Sequence, residues 1–326
     1  MADANLESVF AASPLLLTEG ALGERLKREY GIVFHEQLAM AALYRETAAA
    51  KALSALWRQY AAVAARYGLP LLLTTPTRRL TGPRAAAAGE DPAVLAAGNA
   101  SFLSSLAREL ADGYGIPVFS GALMGCVGDA YTGAGALDRA AARDFHLRTA
   151  ERFAAAGVQF LMAGIMPALS EALGMAQAMA ECGLPYFISF TIEKNGCLID
   201  GTPISAAIAE IDAQTARPPL CYMTNCVHPS IAAAALSQPV NDTDTVRRRF
   251  LGIQANTSPL PYAALDGAVD LMASTPQALA ESMLALQRAH PEMKLFGGCC
   301  GTDARHLDAI ARILKQNYVE KTEETP

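Results

Sequence analysis

Short apolar runs recur along this chain at a spacing that leaves room for helical segments between them. They are Leu15–Leu17, Leu71–Thr74, Ile116–Gly121, Val158–Met162, Tyr186–Phe190, Leu220–Thr224, Phe250–Ala255 and a last run from Lys294 to Gly298. Each is too short for a buried helix and is bounded by Gly, Pro or polar residues, so each reads as a buried strand. Helical patterns cover about Glu36–Arg66, Ala93–Ala111, Leu137–Ala155, Leu169–Glu181 and Asp303–Lys315. Buried strands alternating with helices specify a parallel sheet covered on its faces. Eight such strands predict an α/β fold, a single-domain (β/α)8 TIM barrel over residues 1–326, with a polar, frayed tail from about 316. A doubly wound open sheet is the competing architecture.

In such a barrel the reactive groups stand where strands end and loops begin, at the carboxyl face. The first run ends at Glu19-Gly20, the fifth at Ser189-Phe190-Thr191, the sixth at Thr224-Asn225-Cys226, and the seventh at Asn256-Thr257-Ser258. The eighth ends at Gly297-Gly298-Cys299-Cys300-Gly301-Thr302. Neighbouring side chains of an extended strand point to opposite faces, so two adjacent cysteines share a ligand only if the backbone leaves that geometry. The flanking glycines permit this. Thr302 is expected to cap the helix that follows, whose positive end would favour thiolates. Repelling thiolates call for a cation, and Cys226 stands at the same level of the barrel. Cys226, Cys299 and Cys300 then form a three-sulfur site with one position open, the pattern of catalytic zinc, which soft thiolates prefer over magnesium or calcium. A strained disulfide between neighbours and plain buried thiols are the alternatives.

The remaining cysteines, 126, 182, 197 and 221, read as packing or incidental, and His228 is a weaker ligand candidate. The glycine-rich stretch Gly125–Gly133 has neither phosphate-loop nor dinucleotide spacing and reads as a turn or lid. No lysine stands at a strand's carboxyl end, which disfavours Schiff-base chemistry.

Hydrophobic residues make up 52% of the chain and charged ones 18%, enough apolar material for one large core. Net charge is −6 and the basic clusters are short, which excludes nucleic acid and anionic membranes as expected partners. No apolar run is long enough to span a membrane. Met1–Asn5 has no basic segment leading into an apolar one, and the seven cysteines are odd in number, so a reduced, cytoplasmic protein is expected.

The residues at the mouth resemble a known family, the zinc-dependent homocysteine S-methyltransferases. These include betaine-, S-methylmethionine- and folate-linked enzymes and the homocysteine domain of cobalamin-dependent methionine synthase. Gly297–Thr302 is similar to the family's closing motif, Asn225-Cys226 to its Asn-Cys, and Leu17–Gly23 to its opening motif, which normally carries Asp before the glycine. Ser189-Phe190-Thr191 and Asp200–Pro203 are similar to further family stretches, and the resemblance covers roughly residues 13–315. It implies a (β/α)8 barrel, zinc on Cys226, Cys299 and Cys300, and methyl transfer from a small methylated donor to a thiol, homocysteine giving methionine. It also implies catalytic roles for Glu19 and Asn225, and substrate contacts from Glu19, Gly20, Ser189, Thr191 and Asn256, with Glu19 on the acceptor's ammonium. Partners are then a small-molecule thiol acceptor and a methyl donor; the donor and any homo-oligomer are left open.

Two stretches depart from the family pattern. After the fourth strand the family usually has Phe-Glu-Thr, and this chain has Ala163-Gly164-Ile165-Met166-Pro167. After the second, Thr75-Pro76-Thr77 stands where Asn-Thr-Tyr is common. Gly164 is expected to leave room where a carboxylate would stand, which would suit a different thiol acceptor. A zinc- or thiol-binding protein without catalysis is the reading from another class.

Overall fold

The computed structural model describes residues 5–260 and 274–323. Its strands are β1 Leu16–Thr18, β2 Leu71–Thr75, β3 Val118–Gly125, β4 Phe160–Met166, β5 Tyr186–Phe190, β6 Cys221–Val227, β7 Phe250–Ala255 and β8 Leu295–Gly298. Each pairs in parallel with the next and β8 closes on β1, giving the expected barrel. The described helices are α1 Leu6–Ala12, α2 Gly23–Tyr30, α3 Thr47–Tyr67, α4 Gly82–Ala87, α5 Pro92–Tyr114, α6 Arg139–Ala155 and α7 Leu169–Glu181. They continue with α8 Ile204–Gln214, α9 Pro229–Leu236, α10 Asp244–Arg249, α11 Pro276–Ala289 and α12 Ala304–Glu323.

The strands bury both faces. Leu16, Leu72, Phe119, Phe160, Met162, Phe187, Met223 and Leu295 point inward and fill the barrel. The alternate residues, such as Leu17, Leu71, Leu73, Ile188 and Tyr222, pack outward against the helices. Helix α1 adds Leu6 and Phe10 to the inner cluster, and Phe10 meets Phe187 edge-on at 5.7 Å between ring centroids. Cys221 lies in that inner cluster, fully buried, as a packing residue.

Several boundaries differ from expectation for local reasons. The pattern from Glu36 does not start a helix: Ala39 takes a positive φ of 50°, a three-residue 3₁₀ turn covers Leu43–Arg45, and α3 begins only at Thr47. The expected loop from Arg79 to Pro92 contains α4, capped by the Thr81 hydroxyl. Strands β4 and β6 run beyond their apolar cores, so Gly164, Asn225 and Cys226 are strand residues. The last helix continues past 316 to Glu323, where a frayed tail was expected. The expectation about export rests on residues that include 1–4, which lie outside the described residues.

Candidate metal and thiol site

The end of β8 is held between its two neighbours. Gly298 N–H donates to Glu19 O at 3.0 Å, Cys299 N–H to Ala255 O at 2.7 Å, and Thr257 N–H to Cys300 O at 3.2 Å. A Cβ on Gly298 would lie 2.1 Å from Thr302 Oγ1, so the close approach requires glycine there. Gly301 has φ +81°, the left-handed conformation that turns the chain after the cysteine pair. The expected cap is one residue off. Asp303 Oδ1 accepts the N–H of Arg305 at 2.9 Å and of His306 at 3.2 Å, which caps α12. Thr302 Oγ1 instead accepts Ala21 N–H at 3.1 Å and donates to Cys299 O at 2.7 Å, tying β8 to the residues after β1.

Simple alternation along β6 places Cys221, Met223 and Asn225 inward, so Cys226 should point out. The backbone breaks the rule. Cys226 takes φ +64°, and the β6–β7 register shifts between Asn225 and Val227. A non-glycine residue held there stores of the order of 1–3 kcal/mol of strain. The bulge brings Cys226 Sγ to 3.0 Å from Cys299 Sγ and 3.5 Å from Cys300 Sγ. The three sulfurs lie within 4.8 Å of one another, and all seven cysteines are unbridged.

The trio fits a soft metal ion. With a metal–sulfur bond of about 2.3 Å, a tetrahedral ion separates its sulfurs by about 3.8 Å, so a small outward movement admits one. Hydrogen bonding with Cys299 and Cys300 holds the Cys226 thiol well below its usual range, against the opposing effect of burial. Their bonding to Cys226 pushes Cys299 and Cys300 up. The helix end was expected to favour thiolates at both twin cysteines; here Cys226 is the thiol held low, and its partners are pushed up.

Asn225 is buried, and its Oδ1 accepts from Ser189 Oγ at 2.5 Å and from Ile165 N–H at 2.9 Å. Ile165 has φ +48° beside a second break in register, between Ala163 and Met166. Thr191 is fully buried, and its Oγ1 has no hydrogen-bond partner among the described residues. Asn256 Oδ1 accepts Ser258 N–H at 3.0 Å.

Glu19 does not face solvent. Trp57 Nε1 donates to its Oε2 at 2.8 Å, Thr74 Oγ1 to its Oε1 at 2.5 Å, and Thr74 N–H to both oxygens at 3.2 Å. Burial outweighs these donors and raises its pKa to about 7. Gly20 makes room for Tyr60, whose ring would lie 2.9 Å from a Cβ there.

The space expected at Gly164 is filled. A Cβ on Gly164 would lie 2.8 Å from Leu123 Cδ1, because the Leu123 side chain of β3 leans across it. His228 is not part of the cluster of ligand atoms that the three cysteines form, and its Nδ1 accepts Ser230 N–H at 3.2 Å and caps α9. The sequence reading missed Tyr131, in the glycine-rich stretch after β3, whose Oη stands 3.8 Å from Cys226 Sγ. Cys126, expected to be a packing residue, packs against Ala130, Ile165 and Cys226. Only the glycines of that stretch signalled that it returns to the mouth.

A model of the homocysteine S-methyltransferase family matches residues 16–314. Among solved structures, the chain is similar to the homocysteine methyltransferase MmuM from Escherichia coli. Its oxidized form has a TM-score of 0.75 at 20% identity, covering 95% of this chain and 99% of that one. The metallated form has a TM-score of 0.74 at 20% identity, with coverage of 94% and 99%. These likenesses show the fold. Methionine synthase of Mycobacterium leprae (strain TN) is 28% identical over 141 residues, which is 43% of this chain and 11% of that protein. The family match extends from β1 to the last helix and takes in every strand that contributes a sulfur: the chain belongs to the homocysteine S-methyltransferase family, and it is an S-methyltransferase.

Proposed function

We propose that this protein uses zinc on Cys226, Cys299 and Cys300 to move a methyl group from a small methylated donor to a thiol, with homocysteine as acceptor and methionine as product. The observation that carries the reading is the bulge at Cys226, which spends backbone strain to bring a third sulfur beside the twin cysteines. When bound, zinc would lower the pKa of an acceptor thiol so that it is a nucleophile at neutral pH.

The chain's own residues then bind and orient. Thr191 offers a buried hydroxyl without a partner among the described residues, a vacancy that a polar atom of the substrate would fill. Glu19 is held by Thr74 and Trp57 at the end of β1, and an arriving ammonium would relieve the burial that opposes its charge. Asn225 fixes the β4 bulge and so the shape of the wall beside Cys226. In the transfer, the acceptor sulfur forms a bond to the methyl carbon as the donor's bond to its positively charged sulfur or nitrogen breaks. The electron pair leaves with the donor, whose charge is neutralised, and alignment supplies much of the acceleration. Unbridged cysteines suit the reducing cytoplasm. Among the described residues no helix is long and apolar enough to cross a membrane.

One observation favours a second reading, a thiol acceptor other than homocysteine. Leu123 presents an apolar side chain at Gly164, where a second acid would meet an amino group. The test is to supply zinc-loaded protein with a panel of thiols against S-methylmethionine, betaine and a methylated folate, and to follow the methyl thioether. Turnover with homocysteine supports the first reading, and turnover with another thiol alone supports the second. No thioether from any pair, with metal coordination unchanged by thiol, would overturn both.

A further inference from the structure

Glu171, in the first turn of α7, is fully buried and has no part in the reading above. Its Oε1 accepts Val127 N–H at 2.7 Å and stands 3.0 Å from Nε2 of the buried His146. Its Oε2 accepts Leu137 N–H at 3.4 Å, and neighbouring Ser170 Oγ donates to Leu137 O at 2.8 Å. Val127 and Leu137 are the two ends of the segment that leaves β3 and returns to α6. One carboxylate therefore clamps both ends of a strap over the barrel mouth.

Within the strap, Asp129 Oδ1 accepts the N–H groups of Tyr131 and Thr132, each at 2.8 Å. Asp129 N–H closes the turn onto Ala134 O at 2.9 Å. A Cβ on Gly128 would lie 2.1 Å from Ala134 O, so the two arms touch backbone to backbone. The tip thus points back at the sulfurs: Tyr131 Oη lies 3.8 Å from Cys226 Sγ, and Ala130 packs on Ile165 and Cys226.

We propose that Glu171, seated on His146, is a positioning residue that sets Tyr131 against Cys226 and so governs access to the thiol site from the β3 side. The proposal rests on the sulfur trio being the reactive site, but its first test needs neither metal nor turnover. In metal-free protein, the alkylation rate of Cys226 by iodoacetamide is read by peptide mass spectrometry. The variants are Glu171→Gln, Tyr131→Phe, Asp129→Ala and the Glu171→Gln/Tyr131→Phe double. Each single change should raise the Cys226 rate roughly five- to tenfold, the factor that one hydrogen bond represents. The double should not exceed the larger single, because Glu171 acts through Tyr131. Cys182, at the far end of α7, should react as in wild type. Asp129 is exposed, so its variant carries the test even where the Glu171 variant fails to fold.

In zinc-loaded enzyme, the same changes should raise KM for the thiol and leave KM for the donor. If that enzyme shows no turnover, the proposed function fails while the alkylation result still decides this inference. Independent, multiplying effects in the double variant would overturn it. So would an unchanged Cys226 rate in Asp129→Ala, or an equal rise at Cys182.

Discussion

The side-chain oxygen of Asn225 accepts the backbone N–H of Ile165 at 2.9 Å, joining β6 to β4 across the intervening β5. The bond links the two bulged strands of the mouth, since Ile165 itself and Cys226, next to Asn225, both have positive φ. Strain of this kind persists only where the surroundings over-determine it. Asn225 does so for β4, and the register shift that frees Cys226 begins at Asn225.

Removing that acceptor leaves a buried N–H unpaired. Asn225→Ala should cost roughly 1–3 kcal/mol of stability, or about 2–4 °C in melting temperature per kcal/mol. Asn225→Asp keeps an acceptor oxygen and should lose less. Thermal unfolding of both variants checks this, and an alanine variant as stable as wild type would show that the bulge is held by other contacts.

Purified protein should contain about one zinc per chain, as three thiolates and an open position require. Cys226→Ser should lose most of it, while Cys182→Ser, at a helix end away from the trio, should keep it. Elemental analysis of the two variants decides. Equal zinc in both would remove Cys226 from the site.

Glu19 gives stability a pH dependence of unusual sign. Its folded pKa is about 7 against an ordinary 4.5, because burial opposes the charge. Between those values the unfolded chain has released the proton and the folded chain still holds it. Stability therefore falls as pH rises from 4.5 to about 7 and is level beyond. At about 1.36 kcal/mol per unit the loss is on the order of 3 kcal/mol. Glu19→Gln should flatten this part of the profile in denaturant titrations at pH 5 and pH 8. An unchanged slope would mean that Glu19 is ionised in the folded protein throughout.

Gly164→Glu alone should not improve homocysteine binding. Its Cβ would meet Leu123 Cδ1 at 2.8 Å, so the half-buried Leu123 side chain has to shift before an acid fits there. The combination Leu123→Ala/Gly164→Glu opens the space and places an acid there. It should tighten homocysteine about ten- to a hundredfold, the range of one charge-assisted hydrogen bond. Titration calorimetry on the single and double variants separates the outcomes; tighter binding by the single variant would show that Leu123 moves aside freely.

The barrel was legible in the chain because its strands are buried on both faces and read as unbroken apolar runs, a pattern independent of their partners. The thiols were legible as well. Cysteines flanked by glycines at a strand's carboxyl end state their chemistry locally, and the common orientation of the strands places Cys226 at their level. Direction was what tertiary structure decided. Alternation along β6 points Cys226 away from the other sulfurs, and only a bulge pinned by neighbouring strands turns it inward. The occupant of the space at Gly164 is Leu123, on the adjacent strand, and the partners of Glu19 are Trp57 and Thr74, far along the sequence. The strap that brings Tyr131 to Cys226 is closed by Glu171, on a helix that follows the next strand. A residue's type and its strand declare what it can do, but which atoms it meets depends on register and close packing between distant segments, and those exist only in the folded chain.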